Sequence, residues 1–184
     1  MDPRPTHEID LMRRIGAGDS EALAEVFDAH SPLVLGLLFR ILGRRSEAEE
    51  ILQEVFLQVW MQAERYDPDR ASPRGWILML ARSRALDRLR RRESSRRREE
   101  EVSGGAEFLA VHPLGTERLE AVERRSRITS ALSLLSADQR HCIELAFFEG
   151  LTHTQIAERL QAPLGTVKSR ILLGMNKLRQ TLST

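Results

Sequence analysis

An all-α fold, two small helical domains joined by a flexible linker, is predicted by three features of this 184-residue sequence. Apolar residues recur at three- and four-residue spacing through most of the chain, and no stretch alternates strictly as a half-buried strand would. Capping residues and breakers cut that pattern into segments of helical length. Between residues 93 and 116 the pattern lapses into Arg96-Arg97-Arg98, Glu99-Glu100-Glu101 and Ser103-Gly104-Gly105, a composition that cannot build a core. The domains expected are therefore 1–92 and 117–184, with 93–116 as the linker.

The first helix is expected over His7 to Ile15, closed by Gly16-Ala17-Gly18. Asp19 or Ser20 can cap the second, whose buried face is Leu23, Val26 and Phe27. Pro32 should break or kink it, with Leu33 to Leu42 continuing as an almost wholly apolar helix up to Gly43. Ser46 and Glu49 have the spacing of a capping box for a helix reaching about Arg65. Its inward stripe is Ala48, Ile51, Leu52, Val55, Phe56, Val59, Trp60 and Ala63. Tyr66 to Ala71 reads as a loop from its Pro and Asp content. Ser72-Pro73 supplies an N-cap followed by proline at the first helical position, opening a helix to about Arg92. In its second half Ala85 and Leu89 point inward, and Arg84, Arg88 and Arg91 point outward at i, i+4 and i+7.

After the linker, Glu117 to Leu135 has a helical apolar pattern, and Ser136 with Gln139 forms a capping box for a helix through Cys142, Leu145 and Phe148. Thr152 and Gln155 repeat the device for a helix whose inner residues are Ile156, Ala157 and Leu160. Pro163 stops that helix, and another opens near Leu164-Gly165 with Val167 and Ile171 inward. Helix, tight turn and helix in this order are the units of a DNA-binding helix-turn-helix, in which Thr166, Lys168, Ser169 and Arg170 suit base edges and phosphates. A plain αα-hairpin has the same spacing, and both readings stand on spacing alone.

Composition narrows the function. Hydrophobic residues are 41% and charged residues 30%, which suits soluble helices, and aromatics at 5% leave Leu, Ile, Val and Ala to form the cores. The single Cys142 excludes an internal disulfide and a multi-cysteine zinc site, and its apolar surroundings make it a core residue. The N-terminus lacks an apolar signal core, and the longest apolar run, Leu33 to Phe39, is too short for a bilayer, so no membrane insertion and a cytoplasmic location are expected. The net charge of +1 hides a concentration: residues 71–92 hold seven arginines against Asp87 alone. A solvated helix face normally mixes signs, so this one is expected to meet a polyanion. On the helix before it, Glu50, Gln53, Glu54, Leu57 and Met61 form a second stripe, which spacing alone favours as an ordinary solvated face over a docking surface for a partner helix. Glu47, Glu49, Glu50 and Glu54 with His30 raise a carboxylate-bridged metal site, but the Glu-x-x-His ligand spacing is missing. No catalytic group, metal site or cofactor is expected.

Three stretches together resemble the extracytoplasmic-function (ECF, group IV) sigma factors of bacterial RNA polymerase: AEEILQEVFLQVW (48–60), PRGWILMLARSRALDRLRRR (73–92) and LSADQRHCIELAFFEGLTHTQIAERLQAPLGTVKSRI (135–171). The resemblance implies a subunit that binds core polymerase and directs initiation at promoters with −10 and −35 elements, held in check by an anti-sigma factor. It implies that Glu50, Gln53, Glu54, Leu57 and Met61 dock on the clamp of the largest polymerase subunit, which reverses the reading from spacing. Tyr66, Asp67, Asp69 and Arg70 would hold a flipped −10 base, with Ser83, Arg84, Arg88 and Arg91 along the single strand and its duplex edge. Thr166, Lys168, Ser169 and Arg170 would read the −35 element in the major groove. Glu99 to Glu101 would thread toward the polymerase active centre. Two positions depart from the family pattern: Leu172-Leu173 replace further arginines, and Ser83 stands where Asn is common. The alternative is a stand-alone helix-turn-helix regulator, which would normally dimerise on a two-fold site.

Overall fold

The computed structural model describes residues 4–99 and 130–182, and the chain divides into two compact units, Met1–Leu114 and Gly115–Thr184. All regular structure among the described residues is helical.

The first unit is built from α1 (Arg4–Gly16), α2 (Ser20–Leu42), α3 (Arg45–Gln62), a 3-10 turn over Ala63–Arg65, and α4 (Pro73–Glu99). Asp19 starts α2 as its N-cap, accepting from the amides of Glu21 at 2.9 Å and Ala22 at 3.2 Å. The same carboxylate accepts from Arg14 Nε at 2.9 Å, which ties the end of α1 to the start of α2. That guanidinium bond, followed by the backbone donors, holds the Asp19 carboxyl below the usual carboxylate range. Gly43 ends α2 in the left-handed region at φ 71° and donates to Phe39 O, the position that glycine fills most cheaply.

Pro32 does not break α2. The missing hydrogen bond and ring clash cost about 3 kcal/mol. Val34, Leu38, Ile41 and Leu42 are buried beyond it, each worth about 1.5–3 kcal/mol, so the continuous helix wins. As a whole, α2 is long and apolar enough to cross a bilayer by composition, although polar residues interrupt its apolar runs. Here seven of its residues are buried and it packs on α1, α3 and α4.

The capping box expected at Ser46 and Glu49 does not form. α3 begins at Arg45 after Arg44, which caps without a side-chain bond, and Glu49 instead accepts from Arg45 Nε at 2.8 Å. A cap two residues earlier than expected puts Ser46 inside the first turn. At α4 the expectation holds: Ser72 Oγ accepts from Gly75 N at 3.2 Å and Pro73 is buried at the first position. α4 then runs to Glu99 rather than ending near Arg92. Arg and Glu favour helix and no Gly or Pro intervenes, so local propensity carries it into the expected linker. Glu100 and Glu101 lie outside the described residues, as does most of the helix expected from Glu117.

The core of this unit joins Met12 and Ile15 of α1, Val26, Val34 and Leu38 of α2, Ile51, Val55 and Val59 of α3, and Ile77, Ala81 and Ala85 of α4. Phe27 meets Phe56 edge-on with centroids 4.7 Å apart. Trp60 and Leu89, expected inside, are half-buried. Among the described residues His30 is the buried polar one; its Nε2 lies 3.7 Å from Glu8 Oε1 and makes no hydrogen bond.

In the second unit, helical residues 130–133 turn into α5 (Ala137–Phe148), followed by α6 (His153–Arg159) and α7 (Leu164–Leu182). Both capping boxes form as expected. Ser136 Oγ accepts from Gln139 N and Ser136 N donates to Gln139 Oε1, both at 3.2 Å. Thr152 Oγ1 accepts from Gln155 N at 3.3 Å and Thr152 N donates to Gln155 Oε1 at 2.8 Å. Cys142, Leu145, Ile156 and Val167 form the core, with Ala157, Leu160 and Ile171 partly buried around it. Burial raises the Cys142 thiol above its ordinary pKa, against the opposing influence of Arg170.

The turn between α6 and α7 is a Schellman motif: Ala162 N donates to Ala157 O at 3.0 Å and Gln161 N to Glu158 O at 3.2 Å. Its left-handed residue is Gln161 at φ 49° rather than glycine. Farther along α7, Gly174 is buried against α5. A Cβ there would fall 2.7 Å from Ile143 Cδ1, so even alanine forces that side chain to shift.

Two outcomes follow for stability. A non-glycine residue in the left-handed region costs about 1 kcal/mol, so Gln161→Gly is expected to stabilise the second unit by roughly half to all of that in denaturant unfolding. A loss of stability would mean the Gln161 side chain contributes more than its backbone costs. His30 is held neutral chiefly by burial and further by Arg74, with the Glu8 carboxylate opposing. Its folded pKa lies below the unfolded value of about 6.5, so its contribution is complete above that pH and declines as pH falls toward the folded value. His30→Leu should flatten the dependence of Tm between about pH 7 and pH 5; an undiminished slope would assign it to other groups.

Candidate nucleic-acid interface

α3 and α4 run antiparallel, and their charged edges meet in a ladder. Arg92 Nη1 lies 3.7 Å from Glu47 Oε2, Arg88 makes two parallel bonds to Glu50 at 2.9 and 3.0 Å, and Arg84 Nε donates to Gln58 Oε1 at 2.8 Å. Glu54 adds a second carboxylate 3.6 Å from Arg88 Nη2, and Gln58 Nε2 continues to Gln62 Oε1 at 3.2 Å. Hydrogen bonding to Arg88 pulls the Glu50 carboxyl below its ordinary pKa, and the same bond pushes the Arg88 guanidinium up.

This corrects the expected outward row of arginines. Arg84 and Arg88 are half-buried and turned to α3, while Arg91 is exposed. Ser83 is exposed on a different face, in line with exposed Met79, Asp87 and Arg90; the last two pair at 3.2 Å. Sequence spacing locates residues around a single helix but not the neighbouring helix they meet, so it missed Gln58 and Glu47 as partners.

The acidic stripe of α3 is one face, as expected. Glu50 and Gln53 are exposed, Glu54 is half-buried, and Leu57 and Met61 are 60% and 73% exposed although the opposite face of the helix is buried.

The loop before α4 is held by its own residues. Tyr66 OH donates to Ala71 O at 2.7 Å, and the Tyr66 ring lies 5.6 Å from that of Trp76. Asp67 Oδ1 accepts from Asp69 N at 3.0 Å, and Asp67 O from Arg70 N at 3.2 Å. Asp67, Asp69 and Arg70 remain exposed. Behind the loop, Tyr66 and Pro68 close a cavity of about 310 Å³ whose other walls include Ile9 and Met12 of α1 and Glu64.

In the helix-turn-helix, Lys168 and Ser169 project from the start of α7, and Thr166 is half-buried. Ser169 Oγ donates back to Gly165 O at 2.9 Å. Arg170 turns toward α5 and pairs with Asp138, a partner 32 residues away that spacing could not reveal. Arg140 and Arg159 are also paired, with Glu144 at 3.1 Å and Glu149 at 2.5 Å. Among the described residues, Lys168 makes no ion pair. Leu172 and Leu173 are exposed on the same helix.

Comparison with known proteins places this geometry in a class. The sigma-70 region 2 model matches residues 26–95 and the sigma-70 region 4 model matches residues 131–180. The chain is similar to the ECF RNA polymerase sigma factor SigK of Mycolicibacterium vanbaalenii, with 39% identity covering 98% of this chain and 92% of that protein. It is 36% identical to SigK of Mycobacterium tuberculosis, covering 98% and 96%. Rhodobacter sphaeroides SigE, solved in complex with the anti-sigma ChrR, is 36% identical, covers 96% of this chain and 98% of that one, and superposes with a TM-score of 0.50. The chain belongs to the ECF sigma factors of RNA polymerase.

On duplex DNA, Lys168→Ala is expected to lower affinity and to reduce the slope of log K against log salt by about 0.9, one phosphate contact. Arg170→Ala should change that slope less, because Asp138 already neutralises it. Equal slopes for the two variants would show that Arg170 leaves Asp138 on DNA.

Proposed function

We propose that this chain acts in the cytoplasm, by binding rather than by an active site of its own, and that its two units divide the work of promoter recognition. The first docks core polymerase and holds the −10 strand; the second reads the −35 element. The observation that carries this reading is the α3 stripe, where Leu57 and Met61 stay uncovered near Glu50 and Glu54 although the opposite face of the helix is buried. Uncovered apolar side chains beside like charges suit a partner that is apolar and cationic, the chemistry required of the polymerase clamp.

On α4, Arg84 and Arg91 are the principal phosphate contacts in this proposal. Gln58 orients Arg84 without neutralising it, and Arg91 is exposed. The loop Tyr66 to Ala71 presents Asp67, Asp69 and Arg70 to an unstacked base, with its backbone already braced by internal bonds. Extruding that base costs a few kcal/mol, which a pre-formed pocket can offset. In the second unit Lys168, Ser169 and Thr166 face the major groove. Two weak interactions tethered through one polymerase need not be tight individually. An anti-sigma partner is proposed to cover Leu172 and Leu173, apolar where the family carries cations.

Transcription from fragmented genomic DNA by core polymerase, with and without the chain, tests the reading when the RNA 5′ ends are sequenced. New starts sharing paired upstream elements about two helical turns apart are expected. An unchanged set of starts with the folded, inhibitor-free protein would favour a stand-alone helix-turn-helix regulator. Charge reversal at Glu50 together with Glu54 should weaken polymerase binding, and intact binding would place the docking face elsewhere.

A further inference from the structure

Glu50 and Arg88 are each assigned a partner outside the chain, and the structure gives them to each other. A guanidinium edge committed to a carboxylate by two parallel bonds cannot offer the same edge to a phosphate. The neighbouring rungs of the ladder differ. Arg84 is met by a neutral amide and keeps its full charge, and Arg92 approaches Glu47 only at 3.7 Å. Arg88 alone among these three is held bidentately, and Glu54 stands ready beside it as a second acid.

We propose that the Glu50–Arg88 pair is a latch coupling polymerase docking to strand binding, a role that rests on the docking and strand contacts proposed above. In the free chain the latch neutralises Arg88 and lowers its affinity for single-stranded promoter DNA. A cationic polymerase surface that takes the Glu50 carboxylate releases Arg88 to a phosphate, so the second contact becomes available only where the first has been made. Because the coupling is thermodynamic it works in both directions: removing Arg88 favours docking, and removing the Glu50 charge favours DNA.

The test uses the full chain and a fluorescent single-stranded oligonucleotide carrying a −10 sequence, titrated at several salt concentrations. In a Glu54→Gln background, which removes the second acid beside Arg88, Glu50→Gln is expected to raise affinity about three-fold, the worth of one exposed ion pair, and to steepen the salt slope by about 0.7. Glu49→Gln removes the same charge from α3, where its partner is Arg45, and is expected to leave the slope unchanged. In an Arg88→Gln background the Glu50→Gln effect should vanish. Conversely, Arg88→Gln should raise affinity for core polymerase by a similar factor. Equal responses from Glu49→Gln and Glu50→Gln, persistence of the effect without Arg88, or unaltered polymerase affinity in Arg88→Gln would each overturn the latch. If Glu50→Gln has no effect while Arg84→Ala and Arg91→Ala still weaken binding, the latch alone fails. If Arg84→Ala and Arg91→Ala also have no effect, the strand-binding reading of α4 fails with it.

Discussion

The register of α3 against α4 is the constraint on which the first unit depends. It is set by buried side chains, since Val55, Val59, Ile77, Ala81 and Ala85 are wholly removed from solvent. Burial of each larger one contributes about 1.5–3 kcal/mol. The polar ladder at the edge adds little by comparison, because ion pairs this exposed are worth about 0–1 kcal/mol. The core therefore determines where the ladder residues stand, and the ladder determines what charge the surface presents. A shift of one turn along α4 would leave the core pattern broken and Arg88 without its bidentate partner.

That division would let one helix pair carry the two binding surfaces proposed above. On that reading, uncovered acids on α3 would repel the phosphates sought by α4, and uncovered arginines on α4 would repel the cationic partner of α3. Pairing Glu50 with Arg88 leaves Gln53, Leu57 and Met61 exposed along α3, Arg84 turned to the neutral Gln58, and Arg91 exposed. The rung formed by Glu50 with Arg88 would belong to both of the proposed surfaces.

Among its described residues the second unit has a small core. Cys142, Leu145, Ile156 and Val167 form its centre, so positioning relies heavily on backbone devices. Two capping boxes fix where α5 and α6 begin, and the Schellman turn at Gln161 aims α7. Gly174 lets α7 lie close on α5 beyond the segment that would enter a groove. Arg170, drawn to Asp138, serves this packing and leaves Lys168 as the exposed cation at the start of the helix.

By itself the sequence determined the helical class, the starts of α2, α4, α5, α6 and α7, most of the core stripe of α3 and the helix-turn-helix, because these depend on neighbours within one or two turns. Capping at Ser136 and Thr152 and the stop at Pro163 are local chemistry of this kind. The sequence misled where a local signal was outweighed: at Pro32, by the buried second half of α2; at Ser46, by a helix capped two residues earlier; and at Arg92, by helix propensity running on to Glu99. Only the tertiary structure decided which cations are available. Arg84, Arg88 and Arg170 lie on their helices where the 3.6-residue period puts them, but their partners Gln58, Glu50 and Asp138 come from other helices, 26 to 38 residues away in the chain. Which charge meets which depends on the distance and rotation between packed helices, and that is fixed by the shapes of core side chains acting together rather than by the spacing along either strand of sequence.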